Sequence, residues 1–387
     1  MTDYTNLLST NVQKLKPSGI RKFFDLLENM DDAISLGIGE PDFVTPWHIR
    51  DAGIRALEKG YTKYTSNAGL TRLREEISKY LLRRFDLDYH PQDIVVTVGG
   101  SEALDMAIRA LVNPGDEVII PVPSFVCYGP ITELTGGVPV YIDTKVENEF
   151  RLTAEELRSA ITPRTKLLVL PYPNNPTGGI MERRDLEAIA EVLKDTNVIV
   201  LSDEIYAELT YGQDHVSIAN IPGMKERTIL VNGFSKSHAM TGWRMGYVCG
   251  PRPIVQQMLK IHQYAVMCSP TTSQYAAIEA MANGDCDVQR MRQSYDYRRR
   301  FLYDGLRSLG LDCFEPRGAF YMFPSIKKTG LTSEAFCEQF LLEQRVAVIP
   351  GTAFSPNGEG FVRMCYAASI DHLSKALERL EEFLKKF

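Results

Sequence analysis

The sequence predicts an α/β fold: a mostly parallel central sheet with helices on both faces, plus a smaller α+β domain. Three observations predict it. Strand-length apolar runs alternate with helical patterns in which apolar residues recur at i, i+3 and i+4. The runs themselves are apolar almost without interruption, as strands buried on both faces must be. Beyond about residue 250 this alternation gives way to one long helical stretch and several shorter strands.

Taken in order, Thr45-Pro46 places an N-cap before a proline suited to the first helical position. Ile94–Val98 and Glu117–Pro121 read as strands, with a turn at Asn113-Pro114-Gly115-Asp116 before the second. Thr153-Ala-Glu-Glu156 is a capping box that starts a helix. Lys166–Leu170, Val198–Leu201 and Thr228–Val231 supply three more strands. The helical stretch Gln289–Leu309 leads to strands at Ala319–Phe323, Val346–Ile349 and Phe361–Tyr366, and an amphipathic helix from His372 to Lys386 closes the chain. The resulting division is an N-terminal arm, 1–44, packed with the small domain; a large domain, 45–285; and a small C-terminal domain, 286–387.

Composition narrows the function. The 387 residues carry 43 Lys and Arg against 49 Asp and Glu, a net charge of −6, with no basic block. Nucleic acid and anionic membrane are therefore not expected as partners. No apolar run reaches the roughly 20 residues of a membrane span, and the first residues lack signal-peptide character, so a cytoplasmic protein is expected. Seven scattered cysteines form no CxxC pair, and six dispersed histidines form no HExxH, so no metal site is expected.

In an open parallel sheet, ligands bind beyond the carboxyl ends of the strands. After the first strand comes Gly99-Gly100-Ser101-Glu102, glycines and a hydroxyl opening a helix, where free N–H groups can hold an anion. Taken alone, this is also an ordinary strand-to-helix turn. Later strands are followed by the proline-locked loop Pro171–Gly179 with Asn174 and Asn175, by Asp203 and Tyr206, and by Ser235-Lys236 with Gly242-Trp243-Arg244. An N-cap aspartate and a solvated lysine are the plain readings of two of these. Together, a phosphate cradle, an acid, a phenol, an amide and a lysine match the needs of pyridoxal phosphate.

Along almost its whole length the sequence resembles the class I/II aminotransferases, pyridoxal-phosphate enzymes of fold type I. The resemblance is carried by Ile34–Phe43, Tyr64–Leu70, Gly99–Leu104, Asn174–Gly178, Ser202–Tyr206, Ser235-Lys236, Gly242–Arg244 and Val362–Tyr366. Ser18-Gly-Ile-Arg-Lys-Phe23 and His262-Gln-Tyr264 are similar to the bacterial branch of aromatic-amino-acid and N-acetyl-diaminopimelate aminotransferases.

The resemblance implies that Lys236 bonds the cofactor aldehyde and then moves the substrate Cα proton. It implies that Asp203 pairs with the pyridine nitrogen, and that Asn175 and Tyr206 bind the ring oxygen. Gly100, Ser101, Glu102, Ser235 and Arg244 would hold the phosphate, joined by Tyr64 from the neighbouring subunit of a homodimer. Arg363, helped by the Gly39 backbone, would bind the substrate α-carboxylate, with Asn175 beside it. Phe125 stands where certain relatives stack a tryptophan on the cofactor, with Tyr128 a second candidate, and Gly233 stands where others carry a hydroxyl. Ile20, Phe125 and Tyr128 offer apolar surface for an aromatic or bulky donor, and Arg21 either meets a second carboxylate or is an exposed helix charge.

The expected reaction moves an amino group from an L-amino acid to a 2-oxo acid such as 2-oxoglutarate. A pyridoxal-phosphate lyase on the same fold and an effector-binding regulator module are the competing readings. The second would require a basic DNA-binding extension, for which the sequence provides no helix-turn-helix pattern.

Overall fold

The computed structural model describes residues 7–17, 19, 30 and 32–387. Its strands are β1 (Ile34–Ser35), β2 (Ile94–Thr97), β3 (Glu117–Val122), β4 (Val138–Asp143), β5 (Thr165–Leu170) and β6 (Ile199–Asp203). They continue with β7 (Thr228–Gly233), β8 (Gly246–Cys249), β9 (Tyr321–Met322), β10 (Val346–Ala347), β11 (Ile349–Pro350) and β12 (Val362–Cys365). Seven form one sheet in the order β2-β8-β7-β6-β5-β3-β4. Only β8 runs against its neighbours.

Both faces of this sheet are buried, which is why its strands read as unbroken apolar runs. Val118, Ile120, Val169, Leu201 and Val231 pack under the helices Gly99–Leu111 and Arg252–Ala265. From the other face, Ile119, Leu168 and Val200 meet the helices Ala154–Ala160 and Arg183–Leu193. Toward β2, Ile94, Val96 and Tyr247 meet Thr71–Phe85 and Thr271–Asn283.

Five strands of the sheet match the expected runs to within two residues at either end; β4 and β8 were not expected. β4 is an edge strand whose apolar run, Val138–Ile142, contains Pro139, a residue that argues against a strand in the sequence. β8 is four residues long and opens with Gly246. The capping box forms as expected at Thr153 and Glu156. Thr45, in contrast, does not cap the helix Trp47–Glu58: its hydroxyl donates to the Ala239 carbonyl at 2.5 Å and accepts from the Trp243 indole at 3.0 Å.

In the C-terminal region β11, β12 and β9 form an antiparallel sheet, while β10 pairs in parallel with β1. The expected strand Val346–Ile349 is thus divided between two partners, with Val348 at the switch. Ile34 and Leu36 enter the same core as Val346, Val362, Met364 and the helices Asp285–Ser308, Ser333–Gln344 and Ile370–Leu384. Arg298 on the long helix binds Asp42 at 2.7 Å and covers Phe43, fixing the segment just past Gly39. No helix among the described residues is long and apolar enough to cross a membrane.

Candidate active site

A cavity of about 740 Å³ opens at the carboxyl ends of the central strands. Asp203 is the last residue of β6 and pairs in register with Val231 of β7; Lys236 lies three residues past the end of β7. Their separation is therefore set by the sheet. Gly100, Ser101, Phe125, Asn175 and Tyr206 line the same cavity with them, as do Ser235, Arg244, Arg363 and Gly39.

Lys236 Nζ donates to the Gly39 carbonyl at 2.7 Å and lies 5.8 Å from the centre of the Phe320 ring. Burial lowers its pKa to about 8, with Arg363 and Arg244 pushing the same way and Cys365 and Glu40 opposing. The neutral amine is the form that attacks a carbonyl. In the apoenzyme the rate of covalent capture of pyridoxal phosphate should therefore rise with pH through about 8. A stopped-flow absorbance titration that instead centred near the ordinary lysine value would contradict this environment.

Asp203 is buried, and its carboxylate accepts from the Tyr128 hydroxyl at 2.8 Å and from the Ile205 N–H at 3.2 Å. Burial nevertheless raises its pKa to about 6, so a cationic N–H against it would be bound strongly and would hold it ionised. Tyr128 is buried beside that carboxylate, and the ring of Phe125 meets it edge-on at 6.1 Å. Both rings line the cavity, and the Tyr128 hydroxyl is engaged with Asp203.

Arg363 donates to Asn175 Oδ1 at 2.9 Å and to the Gly37 carbonyl at 2.5 Å, with Tyr321 and Phe354 against its guanidinium. Its buried Nε has no partner among the described residues. Since Asn175 Oδ1 is occupied, the amide NH₂ is the group left to donate to an oxygen anion. Asn174 stabilises the loop by accepting from the Thr177 N–H and hydroxyl. Tyr206 shares a 2.8 Å hydrogen bond with Tyr321, a cavity residue that sequence reasoning missed. Tyr321 sits on a two-residue strand outside the parallel sheet, where the strand-end rule was not applied.

The anion cradle is built by close backbone approach. Gly99 has φ +75°, and a Cβ there would lie 2.6 Å from an Arg244 guanidinium nitrogen. Beneath it, a Cβ on Gly246 would lie 2.5 Å from the Gly99 carbonyl carbon. Gly233 is confined too, since its Cβ would lie 3.0 Å from both Gly246 Cα and the Met245 carbonyl. A side chain at this position would press on the neighbouring backbone of β8 and its approach. The first N–H groups of the helix Gly99–Leu111 have no intrahelical acceptor and join Arg244 at one end of the cavity.

An amine for an aldehyde, a buried acid for a pyridinium, amide and phenol donors for a ring oxygen, and this cradle for a phosphate all fit pyridoxal phosphate. Tyr64 does not join them: it is 80% exposed on the surface of the chain. Glu102 lies in the cradle helix with its side chain turned to His262. Ile20 and Arg21 lie outside the described residues. No cluster of His, Cys, Asp and Glu able to hold a metal occurs among the described residues.

The family model for aminotransferase class I and II matches residues 31–380. The putative aminotransferase YugH of Bacillus subtilis is 54% identical, over 99% of both chains. The probable N-acetyl-LL-diaminopimelate aminotransferase of the same species is 47% identical, over 98% of this chain and 96% of its own. Further relatives are named aspartate aminotransferase and aromatic-amino-acid aminotransferase, so the names do not converge on one donor. A crystal structure of Pyrococcus protein A1 superposes with a TM-score of 0.95 at 45% identity, over 97% of this chain and 98% of that one. The fold is that of the type I aminotransferases, and the chain belongs to the class I and II aminotransferases, which depend on pyridoxal phosphate.

Proposed function

We propose that the protein transfers the amino group of an aromatic or otherwise bulky L-amino acid, or one resembling N-acyl-diaminopimelate, to a 2-oxo acid such as 2-oxoglutarate. The observation that carries the reaction is the half-buried Lys236 amine and the buried Asp203 carboxylate beyond adjacent strand ends, facing one cavity. When bound, pyridoxal phosphate supplies an aldehyde and an electron sink for the bond broken at the substrate Cα.

The chain's residues do the rest. Lys236 would hold the cofactor aldehyde through its amine, and as a free amine it would be the base that carries the substrate Cα proton. Asp203, oriented by Tyr128, would keep the pyridine nitrogen protonated. The Asn175 amide and the Tyr206 hydroxyl would donate to the ring oxygen, and Phe125 would cover the ring. The N–H groups of Gly100, Ser101 and Glu102, the Ser235 hydroxyl and Arg244 hold the phosphate. Arg363 binds the α-carboxylate through its planar fork, with Asn175 fixing its angle and the Gly39 backbone beside it.

Side-chain selectivity follows from the walls. Ile38, Leu104, Phe125, Pro173 and Ile205 are apolar, and Lys236, Arg244 and Arg363 are the cations lining the cavity among the described residues. Each already has a role. With 2-oxoglutarate as acceptor, phenylalanine should exceed aspartate in kcat/KM by roughly tenfold or more, as burying an aromatic side chain against apolar walls requires. A preference for aspartate would reject this donor class.

The exposed Tyr64 supports a homodimer with shared sites, in which its hydroxyl reaches the partner's cofactor phosphate. Mixed dimers of Lys236→Ala and Tyr64→Phe chains should recover activity beyond either parent, measured after co-refolding; a fully active monomer would reject sharing. A cytoplasmic location is part of this reading, and so is the division at 44 and 285. The latter is supported by the core that Ile34 and Leu36 share with the C-terminal helices.

A further inference from the structure

We infer that His262 is a positioning residue for cofactor phosphate: it holds the Glu102 carboxylate away from the N–H groups that the phosphate needs. This rests on the assignment of Gly100, Ser101 and Glu102 to the phosphate cradle. His262 lies on the helix Arg252–Ala265 and is fully buried. Its Nδ1 is 2.8 Å from Glu102 Oε1, while Glu102 Oε2 accepts from the Val98 N–H. The imidazole Nε2 has no partner among the described residues.

These contacts define the proton. A carboxylate only accepts, so Nδ1 carries the hydrogen; an unpartnered Nε2 is cheaper as a bare lone pair than as a buried N–H. His262 is thus a neutral donor, and the Glu102 carboxylate keeps its charge. That charge sits in the first turn of the very helix whose free N–H groups form the cradle. An untethered carboxylate there is an internal competitor for the same donors and a like charge beside the phosphate, at an effective concentration no free ligand matches. Two hydrogen bonds, from Val98 and His262, hold it aside. Removing the imidazole donor frees it.

The test measures cofactor affinity of the full-length apoenzyme by absorbance titration, with pyridoxal phosphate and with unphosphorylated pyridoxal. His262→Leu should weaken pyridoxal phosphate at least tenfold and leave pyridoxal within twofold. Adding Glu102→Gln, which keeps a capping carbonyl but removes the charge, should restore most of the lost affinity. A role in packing alone predicts no such rescue, so a double variant as weak as His262→Leu would overturn the inference, as would unchanged binding by His262→Leu. If His262→Leu does not fold, His262→Asn and Glu102→Gln take its place. The first retains a donor near Nδ1 and should bind normally, and the second should bind at least as tightly as the native chain; tenfold weakening by either overturns the inference. A native enzyme that bound pyridoxal as tightly as its phosphate ester would fault the cradle assignment itself.

Discussion

Lys236→Ala is expected to lower kcat by at least ~10⁴-fold, about 5.5 kcal/mol of transition-state stabilisation. Among the described residues lining the cavity, the half-buried Lys236 amine is the group able both to bond an aldehyde and to carry a proton, and alanine does neither. The phosphate cradle and Asp203 are untouched, so the variant should still bind pyridoxal phosphate. It should lack the absorbance band of the covalently held cofactor. Exogenous methylamine should return a measurable fraction of the rate, because a small amine fits the volume vacated by the side chain. Turnover near the native rate without added amine would exclude Lys236 from the chemistry.

Asp203→Asn should cost on the order of 10³-fold in kcat, about 4 kcal/mol, while leaving the fold intact. The amide matches the carboxylate in shape, and Tyr128 can still reach its oxygen. What is lost is the negative charge that keeps a pyridine nitrogen protonated in a buried site. A cofactor analogue with a permanently methylated ring nitrogen carries its own positive charge and should narrow the gap between variant and native enzyme. A rate within tenfold of native with ordinary pyridoxal phosphate would remove Asp203 from this role.

How much of this was legible in the sequence depended on burial and locality. The strands that carry Asp203 and precede Lys236 are central, so both faces are apolar and their ends could be read directly. β4 was hidden because Pro139 stands inside its apolar run, which an edge position tolerates and a central strand does not. Tyr321 was hidden for another reason: it reaches Tyr206 from 115 residues away, on a strand whose place in space no local pattern encodes. The Thr45 cap failed because a distant carbonyl, that of Ala239, outcompeted the helix end for the hydroxyl. The contact of Tyr128 with Asp203 again needed the packing of two elements 75 residues apart.

The register between β6 and β7 has a consequence for how such an enzyme can diversify. Asp203 ends β6 and Lys236 follows β7, strands joined by backbone hydrogen bonds, whereas Ile38 comes from a segment outside the sheet. Chemistry and selectivity therefore have separate mechanical supports. On the proposed reading, a change at Ile38 should shift donor preference while the sheet keeps the amine and the acid at their present separation, so a new preference should not require rebuilding the chemistry.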